Sequence, residues 1–236
     1  MLKIQNLTKK YDDKKAVDGL SLHIRAGELY GFIGHNGAGK TTTLKACCGI
    51  LGFEEGEIFV DGVSVKENPL ACKKKIAYIP DDPKLYAFMK GIQYLHFVGD
   101  IFEVPSDIRQ ARIRKYADAF ELTEALAQPI ASYSHGMKQK LCLIASLMHN
   151  PNVWILDEPT VGLDIMAQEE LKKMMREYAN HGKTVFVTSH NIELIAKICD
   201  KVAIINDGVV ATVFDLNRDP NKRLQLPKLF IDTYGD

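Results

Sequence analysis

The chain has no apolar run near the ~20 residues that a membrane-spanning helix needs. Its longest, LCLIASLM at 141–148, has the length of a buried helix segment. It also lacks a charge excess. Lys+Arg and Asp+Glu both total 30, a formal net charge of +0, so nothing points to a nucleic-acid partner, whose binders carry a basic surplus. The opening MLKIQNLTKKY has neither the apolar segment nor the cleavage site of a secretory signal. Cysteines are few. Cys47, Cys48, Cys72, Cys142 and Cys199 form no C-x-x-C pair. Four of the five sit in apolar or helical contexts, as reduced thiols do, so no thiolate metal site is expected. Together these absences predict a cytosolic protein. The 236 residues, 46% hydrophobic and 25% charged, are enough for a substantial globular core.

The pattern changes along the chain. LKIQNL, LSLHIR, ELYGFI and EIFV read as short strands, the last closed by Asp61-Gly62, and IAYI as another. The middle, about 90–148, is helical in pattern. After Asn150-Pro151 the chain alternates between VWIL, a helix 165–180, TVFVTS, a helix 191–199, VAIIN and VVATVF. VWIL and TVFV are continuously apolar, as in strands buried on both faces of a parallel sheet. In the helix 165–180, Leu171, Met174, Met175 and Tyr178 share one face, with Glu169 and Lys173 a turn apart on the other. The expected fold is α/β: a nucleotide-binding core with a helical insertion. The tail from 216, with Pro220 and Pro227, carries no clear signal.

GHNGAGKT at 34–41 matches G-x-x-x-x-G-K-[ST] between an apolar strand and a helix-compatible stretch. Its glycines let backbone N–H groups turn toward phosphate oxygens at a helix N-terminus. Lys40 can reach the β- and γ-phosphates, and the Thr41 hydroxyl can ligate Mg²⁺. Gly34, His35, Asn36, Gly37, Ala38, Gly39, Lys40, Thr41 and Thr42 are therefore the expected phosphate-binding residues, with the His35 side chain at a free position of the loop. VWILDEP at 153–159 is a buried strand ending in two carboxylates, where a parallel sheet places its ligand. Asp157 can hold Mg²⁺ through water, and Glu158 can act as general base toward an attacking water. TVFVTSH brings His190 to the same crevice, in reach of a γ-phosphate.

In this order the motifs resemble the ATPase subunit of an ABC transporter, over about 1–215. The resemblance assigns GHNGAGKTT as Walker A, VWILDEP as Walker B with the catalytic Glu158, VGLD at 161–164 as the D-loop and TSH as the switch containing His190. It makes Tyr11 the adenine-stacking aromatic, Asp81 the metal-facing residue after IAYIP, and YSHGMKQK at 133–140 the signature. It implies a P-loop NTPase core (1–83 and 149–215), an N-terminal antiparallel β subdomain, a helical subdomain (84–148) and a C-terminal tail (216–236). It further implies ATP and Mg²⁺, a second ATPase subunit bound head to tail, and a separate transmembrane permease subunit. The chain would lie on the inner face of the cell membrane through that permease. Ser134 and Gly136 of the signature would meet the γ-phosphate held by the other protomer.

Two positions depart from the family pattern. Asp81 stands where Gln is usual and brings a charge to the metal. His135 stands where the signature has glycine, so a φ above zero there would be strained. The form YSHGMKQK and the segment DPKLY after Asp81 look more like exporters; an importer ATPase or a soluble ABC ATPase that remodels a complex are the alternatives. The same segment crowds Leu85, Tyr86, Phe88 and Met89, which serve either the insertion's own core or a partner helix.

Overall fold

The computed structural model describes residues 1–219 and 221–234. Strands β1 (Leu2–Tyr11), β2 (Lys14–Ile24), β4 (Glu55–Val60) and β5 (Val63–Ser64) form an antiparallel sheet in the order β2-β1-β4-β5. A second, six-stranded sheet has the order β10-β9-β3-β8-β7-β6. Its strands β3 (Leu29–Ile33), β6 (Ile76–Ile79), β7 (Val153–Leu156), β8 (Thr184–Thr188) and β9 (Lys201–Asn206) are parallel, and β10 (Val209–Asp215) closes the edge antiparallel to β9.

This sheet divides the interior in two, which is why inner strands such as β3 and β7 are apolar throughout. Along β7, Trp154 and Leu156 enter the core shared with the helical region, while Val153 and Ile155 enter the core shared with the antiparallel sheet. Phe186 of β8 takes the second side, with its ring 5.4 Å from Phe32. Trp154 Nε1 donates to Ser146 Oγ at 3.0 Å, so its one polar atom is satisfied in a fully buried site.

Helices α1 (Lys40–Cys47) and α2 (Pro69–Lys73) lie in the first part of the chain. The middle is helical as expected: α3 (Gly91–Ile101), α4 (Ser106–Ala119) and α5 (His135–Ser146). Then come α6 (Ile165–Asn180), α7 (Ile192–Ile198) and α8 (Asn221–Tyr234). Side-chain oxygens of Ser134, Asp164 and Asn191 accept N–H groups from the first turns of α5, α6 and α7, so each polar residue before an apolar run fixes where its helix begins. No helix among the described residues is long and apolar enough to cross a membrane.

The structure corrects three readings. Glu169 pairs with Lys172 at 2.7 Å rather than with Lys173, whose partner is Glu170 at 3.9 Å, because i,i+3 neighbours lie as close as i,i+4 ones on a helix surface. His135 is the first residue of α5 and is not among the residues of positive φ, so the signature needs no glycine at that position. The tail, without signal in the sequence, forms α8 with Pro227 inside it; the expectation at Pro220 falls outside the described residues.

Candidate nucleotide site

The C-terminal ends of the parallel strands gather the predicted residues. Gly34 follows β3, Asp81 lies just beyond β6, Asp157 follows β7 and His190 lies just beyond β8. Asn36, Gly37, Gly39, Lys40, Thr41, Thr42, Asp81, Asp157, Glu158 and His190 line one cleft of ≈180 Å³. Gly39, at φ 106, is the cap of α1, and a Cβ there would stand 2.4 Å from the carbonyl oxygen of Ala16. Only glycine fits, because the close carbonyl and the positive φ both exclude a side chain.

The side chains in the cleft are held in place by one another. Lys40 Nζ donates to the carbonyls of Gly34 at 2.6 Å and His35 at 2.9 Å, so the amine folds over its own loop. Burial draws the Lys40 ammonium below its usual value, opposed by the Glu158 and Asp157 carboxylates. Thr41 Oγ1 donates to Asp157 Oδ2 at 2.7 Å, and Thr188 Oγ1 donates to Asp157 Oδ1 at 2.7 Å. A hydroxyl and a carboxylate converging beside a phosphate loop are the oxygen donors that a hard cation such as Mg²⁺ takes, so the residues fit that ion.

Glu158 is buried and has a left-handed backbone, with φ 48. Its N–H donates to Thr188 Oγ1 at 3.0 Å, and its Oε2 accepts the backbone N–H of His190 at 3.1 Å. His190 Nε2 lies 3.3 Å from Oε1, close enough for attraction, yet Oε1 accepts no hydrogen bond. Burial pushes the carboxyl above its usual value, opposed first by the His190 N–H and then by the charges of His190 and Lys40. An oxygen of that kind, held in the cleft without a donor, can take a proton from a water beside it. Thr188, which holds the Asp157 carboxylate and the Glu158 backbone, was missed in the sequence; its signal is a hydroxyl at the last position of a buried apolar strand.

Other predicted residues lie apart. Gly34 and His35 line an adjoining cavity, and buried Ala38 joins the loop to Gly208, whose N–H donates to its carbonyl at 3.0 Å. Tyr11 ends β1, half exposed, with Lys9 Nζ 5.5 Å from its ring centre. Ser134 and Gly136 do not line the cleft. Ser134 Oγ accepts Met137 N–H at 3.2 Å at the open end of α5. The start of α5 is packed against the segment after Glu158. Gln139 Nε2 donates to the Pro159 carbonyl at 3.2 Å, Lys140 pairs with Asp164 at 2.7 Å, and a Cβ on Gly162 would meet the His135 ring at 2.2 Å. His149 is structural: it stacks on Phe102 with ring centres 3.7 Å apart, and burial pushes it down to about 4.

A family model described as ABC transporter matches residues 17–161. The chain belongs to the ABC transporter family. Among curated relatives, the uncharacterized ABC transporter ATP-binding protein MJ1023 of Methanocaldococcus jannaschii is 34% identical over 88% of this chain and 74% of its own. The SkfA peptide export ATP-binding protein SkfE of Bacillus subtilis is 31% identical over 88% of this chain and 86% of its own. A solved ATP-binding subunit of an ABC transporter superposes with a TM-score of 0.93 at 26% identity, covering 99% of both chains. The dimeric structure of MJ0796, a bacterial ABC transporter cassette, gives 0.81 at 25% identity over 92% of this chain and 99% of that one. The chain is thus the ATP-binding subunit, an ATPase, of an ABC transporter, with the expected P-loop fold.

Proposed function

We propose that this ABC ATPase drives export through a separate membrane-spanning subunit, and that its active site is completed by a second ATPase subunit set head to tail. The observation that carries the second half is the position of Ser134: it caps a helix whose open end lies outside the cleft holding Lys40 and Glu158. A helix N-terminus attracts anions, and the phosphate loop of the same chain is not placed to supply one. Exposed Val161, Ile165 and Met166 lie beside it, as a surface that meets another copy would have them. In this reading the phosphate loop, residues 34–42, holds the phosphates of ATP. Thr41, Asp157 and Asp81 serve Mg²⁺, Glu158 is the base, and His190 contacts the γ-phosphate.

Tyr11 would stack on adenine, at an exposed strand end as a platform requires. Such stacking is typically worth ~1–3 kcal/mol. In an ATP-binding titration, Tyr11→Ala is expected to weaken affinity roughly tenfold and Tyr11→Trp to preserve it. Equal affinity of parent and alanine variant would remove the assignment.

The permease reading rests on residues 85–97. Leu85 and Met89 pack onto the core, whereas Tyr86 and Phe88 are 49% and 84% exposed. The Tyr86 ring lies 5.9 Å from Phe88 and 5.7 Å from Phe97, an outward aromatic cluster suited to a partner helix. Cysteines at Tyr86 and Phe88 are expected to cross-link to the membrane subunit in the active complex. No adduct at either position would sink the docking assignment. SkfE, by its name a peptide-export protein, supports the direction. Reconstituted vesicles with ATP on the subunit's side should lose substrate from that side; gain there would mean import.

A further inference from the structure

α8 lies outside the matched residues 17–161, and His35 stands at a position where the phosphate-loop motif allows any residue; the structure joins the two. α8 is anchored on α7. Arg223 Nη1 donates to the carbonyl of Ala196 at 2.7 Å and to that of Lys197 at 3.3 Å, and Leu226 is fully buried. One turn beyond Leu226, Phe230 packs on the core and sets its ring against that of His35, with centres 5.6 Å apart and planes at 61°. Gly34, His35 and Asn36 of the phosphate loop, Ser189 and His190 after β8, and Phe230 line one cavity of ≈180 Å³. α8 therefore meets the phosphate loop at His35 and borders, across that cavity, the loop carrying His190.

We infer that Phe230 is a positioning residue for the ATPase site. Its ring braces His35 and fixes the gap between the phosphate loop and the loop carrying His190. The inference rests on the assignment of those two segments to the phosphates of ATP. The far end of the phosphate loop is tied down by the Gly208 N–H on the Ala38 carbonyl, and its near end needs support of its own. Gly37 and Gly39, at φ 82 and 106, offer no side chain for packing, and the Lys40 amine is bonded to carbonyls of the loop itself. Among the described residues, the His35 ring is a place where the loop can be gripped without blocking its N–H groups. An edge-to-face aromatic pair shifts an equilibrium by roughly two- to tenfold, enough to change how often the site is in its productive arrangement.

The test is a double-mutant cycle in the complex, with ATP hydrolysis and equilibrium ATP binding as readouts. Phe230→Ala and His35→Ala are each expected to lower kcat/KM several-fold, and the double variant to be no worse than the poorer single one. Phe230→Tyr should retain the parent's value. Phe230→Leu fills the space without the ring edge and should behave as Phe230→Ala, which separates the brace from loss of packing. Leu224→Ala, on the same helix but 88% exposed, should leave activity unchanged. Additive single effects, or parental kcat/KM in Phe230→Ala and Phe230→Leu, overturn the brace. Undiminished ATP binding by Lys40→Ala would overturn the phosphate-site assignment itself, and the brace with it.

Discussion

Glu158→Gln is expected to bind ATP as the parent does and to hydrolyse it ~10²-fold more slowly or worse, the size of a lost general base. The amide keeps the shape of the side chain and the Oε2 contact to the His190 N–H, 3.1 Å in the parent. It removes the capacity of Oε1, which accepts no hydrogen bond, to take a proton. ATP that is bound but not cleaved should hold two chains together, so the variant should gain mass in light scattering on adding ATP. Retention of even a tenth of the parental turnover would show that the base is another group.

The second large effect concerns the partner side of the proposed dimer. Ser134→Arg in the Glu158→Gln background is expected to abolish the ATP-dependent dimer while each monomer still binds ATP. Ser134 Oγ accepts Met137 N–H at 3.2 Å, so the substitution removes a cap, worth about 1 kcal/mol. It also places a long side chain where a phosphate of the other copy would sit. The cap alone is too small to unfold a chain with two large cores, so loss of the dimer with ATP binding intact reports on the interface. A persisting dimer would return YSHGMKQK to being a helix start and nothing more.

Much of this site is legible in the sequence because its parts are local. GHNGAGKT needs a strand before it and a helix after it, and residues within a few positions supply both. Asp157 and Glu158 are legible because a buried strand must end in something, and carboxylates there lack an apolar explanation. What escaped depends on contacts across the fold. Thr188 holds Asp157 from 31 positions away. The His35–Phe230 pair spans nearly the whole chain, and no local pattern in NKRLQLPKLF announces it. β1 runs on through TKKY to Tyr11, beyond LKIQNL, because Lys9, Lys10 and Tyr11 pair with Val17, Lys15 and Lys14. Register shifts within that pairing break the alternation that would have revealed the longer strand.

The left-handed backbone of Glu158 has a consequence for the chain's history under selection. A non-glycine residue at φ 48 costs of order 1–3 kcal/mol, and this one is also a carboxylate shut away from water. Position 158 is therefore a place where the fold is worse off for having the residue that the proposed base role requires. Smaller or uncharged residues that accept a positive φ, glycine and asparagine first, relax the backbone and the buried charge together. Heat resistance and turnover pull this position in opposite directions, so a library sorted on survival at high temperature alone drifts toward thermostable chains that grip ATP and leave it whole.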